Sequence, residues 1–113
     1  VLVTNRFVVD EDAAASFTER AHAALAALAA RPGYQRGQLV RALEDPRHWS
    51  LVTEWESVGT YRRALGAFDV KVYATPLLAE SLDEPSAYEA LASAEPGGQV
   101  EVAVSDRATD PRR

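Results

Sequence analysis

Asn5, Tyr61 and the tryptophans Trp49 and Trp55 are the residues whose types and spacing could do chemistry. Asn5 lies in V-T-N-R-F-V-V, residues 3–9, which reads as a strand. Side chains alternate along a strand, so Val3, Asn5, Phe7 and Val9 share one face while Thr4, Arg6 and Val8 share the other. A lone amide on an otherwise apolar face must be satisfied by the protein or by a ligand, at a cost of about 1–3 kcal/mol if neither does so. Trp49 and Trp55 sit on one face of a later strand with Leu51 and Thr53. Large aromatics there build a core, and they also suit the mostly apolar walls of a ligand cavity. Tyr61 offers a phenol that can act as a core hydrogen-bonding group or as an acid or base. Other chemistries lack their residues. The chain has no cysteine, and therefore no thiolate and no disulfide. Its glycines form no phosphate cradle, and no Ser-His-Asp set stands out. Asp10, Glu11 and Asp12 have the character of helix-start electrostatics rather than metal spacing.

These residues need elements to position them. A strand over 2–9 ends at D-E-D, where Asp10 or Asp12 could cap a helix running to about residue 30. Phe17, Ala21, Ala24, Leu25 and Leu28 recur at helical spacing, and R-P-G closes the run. His22 falls off that stripe; it and His48 are expected to be exposed. A strand over 34–43, the turn E-D-P-R and a strand over 48–56 form a hairpin. Ser57 caps a second helix over 58–67 whose inner stripe holds Val58, Tyr61, Leu65 and Phe68. Residues 69–79 are irregular and partly helical. A fourth strand is expected over 86–92. After the turn E-P-G-G, Val100, Val102 and Val104 alternate in a fifth strand, at a sheet edge or lent to another subunit.

The order β-α-β-β-α-β-β is the ferredoxin-like arrangement, an α+β fold with helices on one face of an antiparallel sheet. Two helices cover one face only, leaving apolar Val8 and Val52 on the other, and a homodimer pairing these faces would cover them. The chain divides into a domain over 1–92, a turn and edge or exchanged strand over 93–105, and a flexible tail over 106–113. With 113 residues and 47% hydrophobic content, one domain with a real core is expected. A net charge of −5, with no stripe of basic residues, argues against a nucleic-acid partner. No run of about 18 apolar residues crosses a membrane, and the first residues lack the order of a signal peptide, so a cytoplasmic protein is expected.

The opening V-T-N-R-F-V-V, the P-G-Y after the first helix, H-W-S-L-V-T-E-W-E-S and Tyr61 six residues past Trp55 together resemble the antibiotic biosynthesis monooxygenase family of dimeric α+β barrels. The resemblance covers residues 1–91. It implies a homodimer with a pocket between sheet and helices in each subunit, on a scaffold shared by cofactor-free oxygenases and haem-degrading enzymes. The haem-degrading pattern is not met: Asn5 fits, but its helix tryptophan falls near Ala64, its later histidine near Ala74, and no histidine follows His48. Members that oxidise anthrones carry the tryptophan and tyrosine matched by Trp55 and Tyr61, with an asparagine at the position of Leu51; Asn5 is the residue that could supply the missing amide. The resemblance thus implies a monooxygenase, an oxidoreductase needing no cofactor and no metal, whose partners are a small aromatic molecule and molecular oxygen. Asn5, Tyr61 and Trp55 are its candidate catalytic residues, and Phe7, Trp49, Leu51, Leu65 and Phe68 its candidate substrate-binding residues. The alternative is a non-catalytic small-molecule-binding protein of the same fold.

Overall fold

A computed structural model of the chain describes residues 1–104. Strand β1 (Leu2–Val8) leads through a single 3-10 turn (Glu11–Ala13) into helix α1 (Ala14–Ala29), followed by the strands β2 (Tyr34–Arg41) and β3 (His48–Trp55). Helices α2 (Val58–Leu65), α3 (Phe68–Tyr73) and α4 (Thr75–Leu78) come next, then three short strands, β4 (Ala87–Tyr88), β5 (Ala92–Ser93) and β6 (Glu101–Val102). The main sheet is antiparallel in the order β2-β3-β1-β4, which is the ferredoxin-like topology. No helix among the described residues is long and apolar enough to cross a membrane.

The core lies between the sheet and the helices. Val3, Phe7, Trp49, Leu51 and Trp55 are buried on the inner face, against Phe17, Ala21, Ala24 and Leu28 of α1, Tyr61 and Ala64 of α2, Val70 of α3 and Leu77 of α4. Alanine at three of these helical positions lets α1 and α2 approach the sheet closely. The outer face carries Leu2, Val8 and Val40, which are 37%, 50% and 39% exposed.

Several expectations are corrected. Neither Asp10 nor Asp12 caps α1 through its side chain; Asp10 precedes the 3-10 turn without a capping bond, and Ala13 precedes α1. Phe68 is 78% exposed rather than on the inner stripe, because α2 stops at Leu65 and the chain restarts as a new helix at Phe68, so the helical phase is lost. His48 is half-buried and lies 3.3 Å from an Asp45 oxygen. The strand expected over 86–92 is split: Ala87–Tyr88 pairs with β1, and Ala92–Ser93 leaves the main sheet. The fifth strand is not at the main sheet's edge. It folds back on β5 as a two-stranded ribbon around Gly97, whose φ of 72° suits the E-P-G-G turn. A short loop closes at lower entropic cost than a return to the main sheet. The tail over 106–113 lies outside the described residues.

Candidate functional site

Helix α2 is anchored by a reciprocal capping box: the Thr60 amide donates to Ser57 Oγ over 3.1 Å, and the Ser57 amide donates to Thr60 Oγ1 over 3.2 Å. This fixes the first turn of α2 and delivers Tyr61 onto the last residue of β3. The Trp55 and Tyr61 ring centroids are 5.5 Å apart. Trp55 is also met edge-on by Tyr34 of β2, at 5.4 Å and an interplanar angle of 86°. Its indole N–H donates to the buried Thr53 hydroxyl over 2.8 Å. Burial raises the Tyr61 phenol, and to the same direction the Tyr34 phenol, above the ordinary tyrosine value. Both are therefore protonated at neutral pH and available as hydrogen-bond donors. Neither hydroxyl has a hydrogen-bond partner among the described residues.

The other tryptophan belongs elsewhere. Six residues separate Trp49 from Trp55 on β3, a distance of about 20 Å along the strand. Trp49 packs on Phe17 at 5.4 Å, and Phe17 on Phe7 at 5.1 Å, each edge to face. The Arg41 guanidinium lies 5.2 Å from the Trp49 ring centroid. The Trp49 indole N–H is buried and has no hydrogen-bond partner. A cleft of about 220 Å³ opens beside Phe7 and Phe17, with Arg20 of α1 and Glu80, two residues past α4, on its rim and held together as an ion pair.

Asn5 lies between the two aromatic groups. The register pairs Phe7 with Trp49, Asn5 with Leu51 and Val3 with Thr53, while Val1 meets Trp55 through its carbonyl, 2.8 Å from the Trp55 amide. Asn5 is half-buried on the inner face, and its side chain makes no hydrogen bond among the described residues. Leu51 beside it is fully buried. Of the residues singled out from the sequence, Trp55 and Tyr61 come together, Asn5 and Leu51 are neighbours, Phe7 and Trp49 form the far cluster, Leu65 packs partly against the core, and Phe68 points to solvent. Sequence reading missed Tyr34 and the indole-to-Thr53 bond; P-G-Y was the only signal for Tyr34.

Comparison with known proteins bears on the family and the fold. Residues 1–74 match the family model of the antibiotic biosynthesis monooxygenases. No curated protein matches the chain. Among solved structures, SnoaB, a cofactor-independent oxygenase from Streptomyces nogalater, is 29% identical over 80% of this chain and 94% of that chain, with a TM-score of 0.63. A mutant of SnoaB aligns over 96% of this chain and 94% of that chain at 22% identity and a TM-score of 0.63. Rv0793 from Mycobacterium tuberculosis shares the fold at 19% identity and a TM-score of 0.61, over 96% of this chain and 97% of that chain. The family match and the likeness to SnoaB support a monooxygenase-like role. With two-thirds of its length under that family model and the sheet order to match, the chain belongs to the antibiotic biosynthesis monooxygenase family.

Proposed function

We propose that this protein is a cofactor-independent monooxygenase that oxidises a flat, electron-rich aromatic of the anthrone or hydroquinone type, bound between the sheet and the helices. The observation that carries the reading is the pairing of Asn5 with Leu51 across β1 and β3. Directly paired residues on one face have Cβ atoms about 4.5–5.5 Å apart. An amide on β1 therefore reaches the space that an asparagine at position 51 would serve. SnoaB, named as a cofactor-independent oxygenase, is the relative that suggests the reaction class.

In this reaction the deprotonated substrate carbon gives electrons to molecular oxygen and a carbon–oxygen bond forms. The resulting peroxide takes up a proton and loses water, leaving a carbonyl. One oxygen atom ends in the quinone product and the other in water. Negative charge develops on the substrate oxygen when the carbon is deprotonated, and the Asn5 amide and the protonated Tyr61 phenol are the donors for it. A preorganised donor of this kind lowers a barrier by about 2.7–4 kcal/mol. Trp55 and Leu51 supply apolar wall and exclude water, with Phe7, Trp49 and Leu65 as further substrate-binding candidates, whereas the solvent-facing Phe68 drops out of that set.

The test is oxygen uptake by metal-free and flavin-free protein with a panel of anthrones and hydroquinones. Uptake above the autoxidation rate, equimolar with quinone formed, is expected. Binding without uptake would replace this reading by that of a non-catalytic ligand-binding protein, which the leucine at position 51 favours. The same proposal includes a cytoplasmic homodimer with outer sheet faces apposed, covering Leu2, Val8 and Val40. Sedimentation equilibrium should then give about twice the chain mass of 12.3 kDa, and a stable monomer at micromolar concentration would remove the dimer.

A further inference from the structure

We infer that Tyr34 is a further ligand-binding residue of this site, a phenol that hydrogen-bonds the oxygen substituent of the aromatic ligand together with Tyr61. The inference rests on the proposed location of the ligand beside Trp55 and Tyr61, and three independent features of β2 carry it.

The first is a β-bulge. Tyr34 pairs with Trp55, yet Arg36 pairs with the adjacent Glu54, so two steps on β2 oppose one step on β3. In a regular strand, without the bulge at Gln35, strict alternation would put Tyr34 and Arg36, two residues apart, on the same face. The bulge separates them. Arg36 pairs with Glu54 on the outer face, while Tyr34 turns inward onto Trp55. Bulges commonly re-aim a side chain next to an active site.

The second feature is Gly37. A Cβ at this position would come 2.6 Å from the Tyr34 hydroxyl, 2.9 Å from Leu25 Cδ1 and 3.0 Å from Thr53 Cγ2. A Cβ here would have to push the Tyr34 hydroxyl aside, so the missing Cβ is the notch in which that hydroxyl is seated. It also brings that hydroxyl beside Thr53, whose own oxygen accepts the Trp55 N–H.

The third is the state of the hydroxyl. It has no hydrogen-bond partner among the described residues, and Tyr34 is only half-buried. A tyrosine needed only for packing would serve equally as phenylalanine. With the Trp55 N–H committed to Thr53, the phenols that meet the Trp55 ring, Tyr34 and Tyr61, keep hydroxyls without a hydrogen-bond partner among the described residues. Two phenol donors suit a flat ring system carrying a hydroxyl or phenolate oxygen at its edge.

The experiment compares wild-type protein with Tyr34→Phe in titrations with 2-hydroxyanthraquinone and 2-methoxyanthraquinone, followed by quenching of tryptophan fluorescence. Both probes are already oxidised, so binding is read without turnover. Tyr34→Phe should weaken binding of the hydroxy probe about five- to tenfold, the worth of one hydrogen bond. Affinity for the methoxy probe should change by less than about twofold, and the melting temperature should hardly move. Gly37→Ala, which displaces the hydroxyl, should reproduce the selective loss. An equal effect on both probes, no effect on either, or no binding of the hydroxy probe to wild-type protein overturns the inference. Oxygen uptake separates the two proposals. Tyr34-dependent binding without uptake leaves this inference standing and removes the oxygenase reading, whereas uptake with unchanged probe affinity in Tyr34→Phe does the reverse.

Discussion

The two ends of the inner sheet face hold one tryptophan each and use it in opposite ways. At the Trp55 end the indole N–H is satisfied by Thr53, and two tyrosines meet the ring with hydroxyls that have no partner among the described residues. At the Trp49 end the core neighbours are Phe7 and Phe17, which carry no polar group, the Arg41 guanidinium lies over the ring, and it is the indole N–H that lacks a partner. One open cleft lies at this second end, yet its charged rim residues Arg20 and Glu80 are already paired to each other. Empty space alone is therefore a poor guide to where chemistry can occur. A ligand oxygen needs uncommitted donors that it can reach: the unpartnered indole N–H at the Trp49 end is sealed in the core, whereas the half-buried Tyr34 supplies a phenol at the Trp55 end, with the Asn5 amide between the two clusters.

The largest expected effect concerns Asn5. If its amide serves the site, Asn5→Ala should lower kcat about 10²–10³-fold, the cost of one oxyanion donor. The melting temperature should stay nearly constant or rise, because no hydrogen-bond partner among the described residues is stranded by the change. Oxygen-uptake kinetics and thermal melts on the same variant provide the check. A loss of about 1–3 kcal/mol in stability with unchanged kcat would make Asn5 a structural residue and dissolve the link between the two ends.

Much of this arrangement was legible in the sequence wherever a period or a local signal governed it. Alternation correctly put Trp49, Leu51, Thr53 and Trp55 together on one face, and Ser57 correctly marked the start of α2. Phe68 was misread because helical phase was carried across Gly66, where the helix had already ended. The capping expected of Asp10 or Asp12 failed because a 3-10 turn intervenes before α1. Tyr34 was missed for a deeper reason. A bulge is a register event between two strands, and nothing in the single strand Y-Q-R-G-Q-L-V-R announces the extra residue. The spread of Trp49 and Trp55 was readable in principle, since six strand residues always span about 20 Å. Sharing a face does not by itself place two residues at one point of that face.

The smallest expected effect, and the most direct test of the contrast between the ends, is a pair of conservative substitutions. Trp49→Phe and Trp55→Phe each replace an indole by a smaller ring and leave a comparable void, so the volume term nearly cancels between them. What differs is the N–H. Trp55→Phe removes the donor from Thr53, which is 2% exposed, and strands a buried hydroxyl oxygen. Trp49→Phe removes a donor that has no partner, so the penalty of burying it disappears, offset in part by a weaker contact with the Arg41 guanidinium. The cost of a stranded buried polar group is about 1–3 kcal/mol. Trp55→Phe should therefore be the more destabilising by about that amount in urea melts, with equal m-values confirming that both variants unfold from the same compact state. Equal losses for the two variants would mean that the indole N–H groups are energetically alike, and the distinction between a committed and an uncommitted end would fail at its root.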